Sequence, residues 1–117
     1  MTRINELRRE RCKACRKDAP LLLGEELDEM LLLVPDWELQ RVDDVPRLVR
    51  TFPQPSWRAG LRFTQQLGEL AEEEDHHPVI LLDWNKVTVS WWTHIIRGLH
   101  RNDILMATKT DALAESL

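Results

Sequence analysis

Three of the chain's four histidines lie within residues 72–94, and four acidic residues come directly before the first two, His76 and His77. Imidazole has an ordinary pKa of about 6.5, so histidine is the side chain best suited to exchange protons near neutral pH. If the preceding helix persists to this point, Glu72 and His76 share one of its faces, and the carboxylate can orient the imidazole. The stretch therefore predicts acid–base chemistry.

The third histidine, His94, lies at the far end of an alternating run. A hairpin turn at residues 84–86 would fold it back beside His76 and His77, which predicts a carboxylate and three imidazoles around one mouth. Zinc is the chemical alternative, since three histidines and a glutamate can form an open tetrahedral site. Adjacent side chains point apart in extended backbone, however, so joint ligation by His76 and His77 would be awkward. The plainer alternative is an ordinary exposed loop before a proline.

The wider pattern around the histidines has further members at defined spacings: Glu72-x-x-x-His76-His77-Pro78, Trp84-Asn85-Lys86-Val87, Thr93-His94 and the downstream Asp103. Together these residues resemble the signature of the pterin-4a-carbinolamine dehydratases. The resemblance extends from about Trp37 to the C-terminus. A Cys-x-x-Cys leader like that at Cys12 to Cys15 occurs in some bacterial members.

The resemblance implies a reaction: dehydration of 4a-hydroxytetrahydrobiopterin to quinonoid dihydropterin and water. Such a step protonates a hydroxyl as it leaves while a ring nitrogen gives up a proton, so two groups that titrate near the working pH suit it. By resemblance, His76 and His94 are the acid–base pair, Glu72 orients or tunes them, and His77 positions the pterin. Which histidine is the acid stays open. No metal and no cofactor are implied, because the pterin is the substrate.

Other residues take roles by resemblance alone. Asp75, Trp92 and Thr93 match positions that border the substrate, and Pro78 belongs to the structural signature. We expect Asp103 to be structural, at a helix start where its charge meets the helix dipole. His100 lies outside the pattern, and we expect it at the surface.

The resemblance also implies partners. An aromatic amino-acid hydroxylase, usually phenylalanine hydroxylase, would supply the spent pterin, and family members form homodimers or homotetramers. Vertebrate members also act as dimerisation cofactors for a homeodomain transcription factor. A non-catalytic binding protein of the same fold is therefore the alternative function.

Composition limits the possibilities. A chain of 117 residues is expected to form one domain. Its net charge of -4 gives no indication of direct nucleic-acid binding. No stretch approaches the ~20 apolar residues that span a bilayer, so we expect no membrane association and a cytoplasmic location. Cys12 and Cys15 could bind an accessory metal or exchange disulfides, but no second pair exists, which favours surface thiols without an essential function.

The elements that must position the histidines follow from hydrophobic periodicity and turn residues. We expect a weakly ordered leader over residues 1–23 and a single domain over residues 24–117. The predicted elements are a short helix over residues 25–34, strands over residues 37–42 and 47–52, a main helix starting at Trp57 behind the cap Ser56, strands over residues 79–83 and 86–93, and a last helix starting at Asn102 or Asp103. After the short N-terminal helix, this β-β-α-β-β-α order predicts an α+β fold, a four-stranded antiparallel sheet with helices packed on one face.

Two faces can be assigned. The main helix is expected to pack through positions at helical spacing: Trp57, Gly60, Leu61, Thr64, Leu67, Gly68 and Ala71. In the last strand, Val87, Val89 and Trp91 form the better core face. Trp92 and His94 then share the opposite side, which faces either solvent or a cleft.

Overall fold

The structure is a computed structural model that describes residues 3–13 and 19–117. Its elements are α1 (Arg3–Arg9), α2 (Gly24–Leu31), β1 (Glu38–Val42), β2 (Val45–Pro53), α3 (Trp57–Glu74), β3 (Val79–Asp83), β4 (Lys86–Trp91), a 3-10 turn (His94–Ile96) and α4 (Arg101–Glu115). The four strands form one antiparallel sheet in the order β1-β2-β4-β3. The α+β fold predicted from the sequence is confirmed.

One face of the sheet carries the core. Val87, Val89 and Trp91 of β4 are fully buried and alternate with less buried residues, as predicted. The indole Nε1 of Trp91 donates to Thr110 Oγ1 at 3.1 Å, which ties α4 to this face. A Cβ on Gly60 would come within 2.9 Å of the Leu82 side chain, so the glycine lets α3 approach the same face closely.

The buried face of α3 is the expected one at Gly60, Leu67 and Ala71, and it also includes Phe63. Gly60, Phe63, Leu67 and Ala71 are buried, whereas Trp57 is 50% exposed and Leu61 46% exposed. A Cβ on Gly68 would meet nothing within 4 Å, so packing does not require a glycine at this position. Two apolar stripes, one through Phe63 and Leu67 and one through Trp57 and Leu61, have similar periodicity, so periodicity alone does not identify the buried one.

Several element ends differ from the prediction because of local turns. The first strands pair further than expected, to Val42↔Val45, because Asp43 and Asp44 both adopt positive φ and close a two-residue hairpin. Helix α2 ends at Leu31 rather than Val34, where turns with three-residue spacing lead the chain into Pro35.

The leader contains a helix that periodicity did not reveal. Within the described part of residues 1–23, α1 packs against α4 through Leu7, which is 2% exposed. Lys109 Nζ donates to the Arg8 carbonyl at 2.7 Å, and Arg8 pairs with Glu115 at 3.2 Å. A helix this short is marginal alone, so contacts with α4 stabilise it. Its seven residues are too few to show a hydrophobic periodicity in the sequence. The division into a leader and a single domain over residues 24–117 stays a prediction.

Cys12 is half-buried rather than a surface thiol. Its backbone N–H donates to Glu74 Oε1 at 2.8 Å, and its Sγ lies 4.0 Å from the Asn102 carbonyl oxygen. Burial, with the nearby Glu74 carboxylate, raises the pKa of the Cys12 thiol to about 12. Cys15 lies outside the described residues, so the interpretation of the pair as a metal or redox motif stays open.

We therefore expect Cys12 to react slowly with thiol reagents. At pH 8, a thiol with a pKa near 12 is ionised in about one molecule in ten thousand, and the thiolate is the reactive form. A Cys15→Ser variant isolates Cys12, and Ellman's reagent should modify it at least about 100-fold more slowly in the folded protein than in urea. Equal rates in both conditions would contradict the buried environment.

Candidate functional site

The end of α3 directs two adjacent histidines to different sides. Asp75 follows the helix in the left-handed conformation (φ 51°, ψ 42°), and the His76 N–H returns to the Ala71 carbonyl at 3.1 Å. This reversal turns His76 inward, where it is 6% exposed, and leaves His77 exposed. Pro78 then starts the extended segment that leads into β3, because proline disfavours helical backbone at the residue before it.

A hydrogen bond and a ring contact position His76. Its Nε2 lies 2.6 Å from Asp103 Oδ1, and its ring stacks on Trp91 with the planes 7° apart and the centroids at 5.6 Å. Asp103 is fully buried. A buried carboxylate acceptor places the imidazole proton on Nε2 and sets the orientation of the ring.

Asp103 joins the start of α4 to His76. It occupies the first turn of α4 and closes a capping box in which its Oδ2 accepts from the His100 backbone N–H at 2.9 Å. The same oxygen accepts from Thr93 Oγ1 at 2.8 Å. Asp103 therefore lies at a helix start, as we expected from the sequence. Its contact with His76 was missed, since only the tertiary fold brings these two residues together.

His100 caps α4 and is half-buried, so its expected place at the surface is wrong. Its Nδ1 accepts from the Asn102 backbone N–H at 3.0 Å. Burial lowers the pKa of His100, although Asp103 acts in the opposite direction, and the unprotonated Nδ1 that the cap requires therefore persists to lower pH.

The expected pairing of Glu72 with His76 is wrong. Glu72 Oε1 instead lies 2.6 Å from His77 Nε2, and both side chains are largely exposed, at 80% and 54%. The helical spacing of four residues fails here because α3 ends at Glu74, before His76 is reached. Glu72 can therefore orient His77, whereas the carboxylate hydrogen-bonded to His76 is that of Asp103.

His94 reaches the same place from the other end of the hairpin. Strand β4 ends at Trp91 rather than at residue 93, because Thr93 leaves the ladder and pairs with Gly98. His94 then opens the 3-10 turn and remains exposed. Its ring lies 4.2 Å from that of Trp92, with an angle of 36° between the planes.

These segments surround one small cavity. It has a volume of about 210 Å³ and is lined by Asp75, His76, His77, Thr93, His94 and Ile95. The predicted convergence of three imidazoles is therefore present. Ile95 was not singled out from the sequence, and only the 3-10 turn after Thr93 brings it to the wall. Trp92 contacts His94 and Glu72 contacts His77, but neither is among the lining residues.

Chemistry rather than size marks this cavity as the candidate site. A larger space of about 570 Å³ lies between α3 and α4 and has no histidine in its wall. The small cavity combines a buried imidazole fixed by a carboxylate with an exposed imidazole. Two titratable groups in such different environments can take separate acid and base roles.

Two further observations concern metals and membranes. Within residues 3–13 and 19–117, no three histidine, cysteine, aspartate or glutamate side chains are arranged to hold a metal ion. The absence of a metal from the chemistry itself stays a prediction. Among the same residues, no helix has the length and apolar character needed to cross a bilayer.

Comparisons with known proteins find a matching sequence profile and similar solved structures. A sequence profile described as "Pterin 4 alpha carbinolamine dehydratase" matches residues 20–113. A crystal structure of a transcriptional coactivator/pterin dehydratase from Brucella melitensis is similar, with 33% identity, 81% of this chain and 99% of that chain covered, and a TM-score of 0.72. A pterin dehydratase-like protein identified as a RuBisCO assembly factor in the alpha-carboxysome is similar at 27% identity, over 68% of this chain and 89% of that one, with a TM-score of 0.56.

Proposed function

Because the chain belongs to the pterin-4a-carbinolamine dehydratase family, we propose that it dehydrates 4a-hydroxytetrahydrobiopterin to quinonoid dihydropterin in the cavity between Asp75 and Ile95. The observation that carries the proposal is the convergence of His76, His77 and His94 from two separate segments on one cavity. The family relationship supplies the reaction, and the cavity supplies the groups that the reaction needs.

The proposed mechanism moves two protons. One imidazole protonates the 4a-hydroxyl as the C–O bond breaks, and the lone pair of the adjacent ring nitrogen expels the resulting water. The second imidazole takes the proton that this nitrogen loses, so the enzyme is restored by proton exchange with solvent. His76 and His94 take these roles, and their order stays open.

The other residues position the substrate. His77, paired with Glu72 at 2.6 Å, contacts the pterin at the exposed side of the cavity. Asp75 and Thr93 border it, and Thr93 also holds the carboxylate that orients His76. Neither a metal nor a cofactor is needed, because the ring nitrogen itself drives the elimination.

The proposed setting follows from the same family. An aromatic amino-acid hydroxylase, usually phenylalanine hydroxylase, would produce the hydroxypterin in the cytoplasm, and the enzyme would act as a homodimer or homotetramer. Nucleic acid and membranes are not proposed partners.

A non-catalytic role is the second candidate. The names of the two similar structures include a transcriptional coactivator and a RuBisCO assembly factor, so this fold also occurs in proteins with binding roles. Two features support catalysis over binding alone. His76, His77 and His94 all line the cavity, and a pure assembly role would not require a buried His76–Asp103 pair.

A stopped-flow assay of hydroxypterin dehydration distinguishes the catalytic role from a non-catalytic one. Hydroxypterin generated by a hydroxylase should lose water faster with this protein than alone, in proportion to its concentration. Activity should survive treatment with a chelator, and metal analysis of the purified protein should find no stoichiometric zinc. A rate equal to the spontaneous one would refute the catalytic proposal, and loss of activity with the chelator would refute the metal-free mechanism.

Glu72 should matter little for the chemical step. We expect Glu72→Gln to change kcat by less than about threefold, because an exposed ion pair contributes little and Glu72 contacts His77 rather than His76. Steady-state kinetics would place any larger effect in KM. A fall in kcat as large as that of a His76 variant would restore Glu72 to the catalytic group.

A further inference from the structure

Two adjacent tryptophans each contact one histidine of the cavity. Trp91, the last residue of β4, stacks on His76. Trp92, which directly follows the strand, lies 4.2 Å from the ring of His94. The tandem pair therefore supports the two proposed catalytic imidazoles.

His94 depends on this contact more than His76 does. His76 has a hydrogen bond to Asp103, and His77 has one to Glu72. In the described part of the chain, no hydrogen bond to the His94 ring is found, and its ring contact is with Trp92. An exposed imidazole on a short 3-10 turn has several accessible rotamers, so the stacking partner determines which one faces the cavity.

Trp92 also contacts a cation. The Arg47 guanidinium lies over its ring with Cζ 3.9 Å from the centroid. The register Leu48↔Trp91 explains the encounter, because Arg47 directly precedes Leu48 on β2 and Trp92 directly follows Trp91 on the antiparallel neighbour. Among residues 3–13 and 19–117, no carboxylate pairs with Arg47, and its buried Nε lacks a hydrogen-bond partner. The Trp92 ring is the cation–π partner of this guanidinium.

We propose that Trp92 and Arg47 are positioning residues that hold His94 in a stack of guanidinium, indole and imidazole. The inference rests on the proposed function. It differs from the expected role of Trp92, which was to border the substrate, because Trp92 contacts His94 and is not in the wall of the cavity.

Kinetics of Trp92 variants separate positioning from substrate binding. Trp92→Leu is expected to lower kcat by about 10- to 100-fold with KM changed less than about threefold, since a misplaced catalytic group slows the step without weakening binding. Trp92→Phe retains an aromatic face and should recover most of the activity. Trp57→Leu, at an exposed tryptophan of α3, is the matched control and should be unchanged. A rise in KM with kcat intact would overturn the proposal.

NMR tests the stack without relying on activity. The His94 ring protons should move downfield in Trp92→Leu, where the indole ring current is lost, and Trp92→Phe should give an intermediate shift. Arg47→Met should also move the His94 signals, because Trp92 loses its guanidinium contact, while the surface control Arg58→Met should leave them unchanged. His94 signals that stay unchanged in both Trp92→Leu and Arg47→Met would refute the stack. An inactive wild-type protein with these NMR results would instead refute only the proposed function.

Discussion

Alanine at either His76 or His94 is expected to lower the kcat for dehydration by about 10²- to 10⁴-fold, the usual contribution of a general acid or base. Both imidazoles line the cavity, and each is proposed to move one of the two protons. The measurement is stopped-flow dehydration under saturating hydroxypterin. His77→Ala is the matched comparison, and it should affect KM more than kcat because His77 is proposed to position the pterin.

The two variants should differ in stability. His76 is buried and its loss leaves Asp103 with one donor fewer, so His76→Ala should destabilise the fold by about 1–3 kcal/mol. His94 is exposed and makes no such bond to any residue that the structure describes, so His94→Ala should unfold at nearly the wild-type urea concentration. Circular dichroism during urea unfolding measures the difference. If both variants fold and retain full activity, the catalytic assignment is wrong.

Convergence of the histidines was accessible from sequence because it depends on local rules. Alternation in residues 86–93 and a tight turn at residues 84–86 indicate a hairpin, and a hairpin returns its far end to its beginning. His94 therefore had to come back beside His76 and His77, and the cavity between them follows. The element order β-β-α-β-β-α was readable for the same reason.

The partners of the histidines were not accessible in the same way. A spacing of four residues would pair Glu72 with His76 only if the helix continued to His76. The left-handed Asp75 ends the helix before that residue, and Glu72 pairs with His77 instead. The true partner of His76 is Asp103, a long-range contact that no local period encodes. A signal did exist, since Asp103 lies in the signature, but a helix-start role is enough to explain an aspartate there.

The structure gives Asp103 a second role, and Asp103→Asn tests it. The carboxylate accepts three hydrogen bonds, from His76, Thr93 and the His100 backbone. An asparagine has one acceptor oxygen. With its amide nitrogen toward His76, the imidazole must move its proton from Nε2 to Nδ1; with the amide reversed, the nitrogen opposes the His100 N–H and the capping box is lost.

Either orientation of the introduced amide should be costly, so Asp103→Asn is expected to lower kcat by about 10²-fold or more and stability by about 1–3 kcal/mol. Asp111→Asn is the matched control on the same helix. Asp111 accepts from Trp37 and Arg50 on the other side of the core, so its loss should reduce stability while kcat stays within about threefold.

Comparison of the two aspartate variants separates a structural carboxylate from one that orients a catalytic histidine. The pair is measured by urea unfolding and by kcat on the folded protein. Thr93→Val, which removes one donor from Asp103 Oδ2, should show a smaller loss in the same direction as Asp103→Asn. If Asp103→Asn and Asp111→Asn lose stability alike and both keep wild-type kcat, then Asp103 only starts α4, and the orientation of His76 must come from its stacking on Trp91.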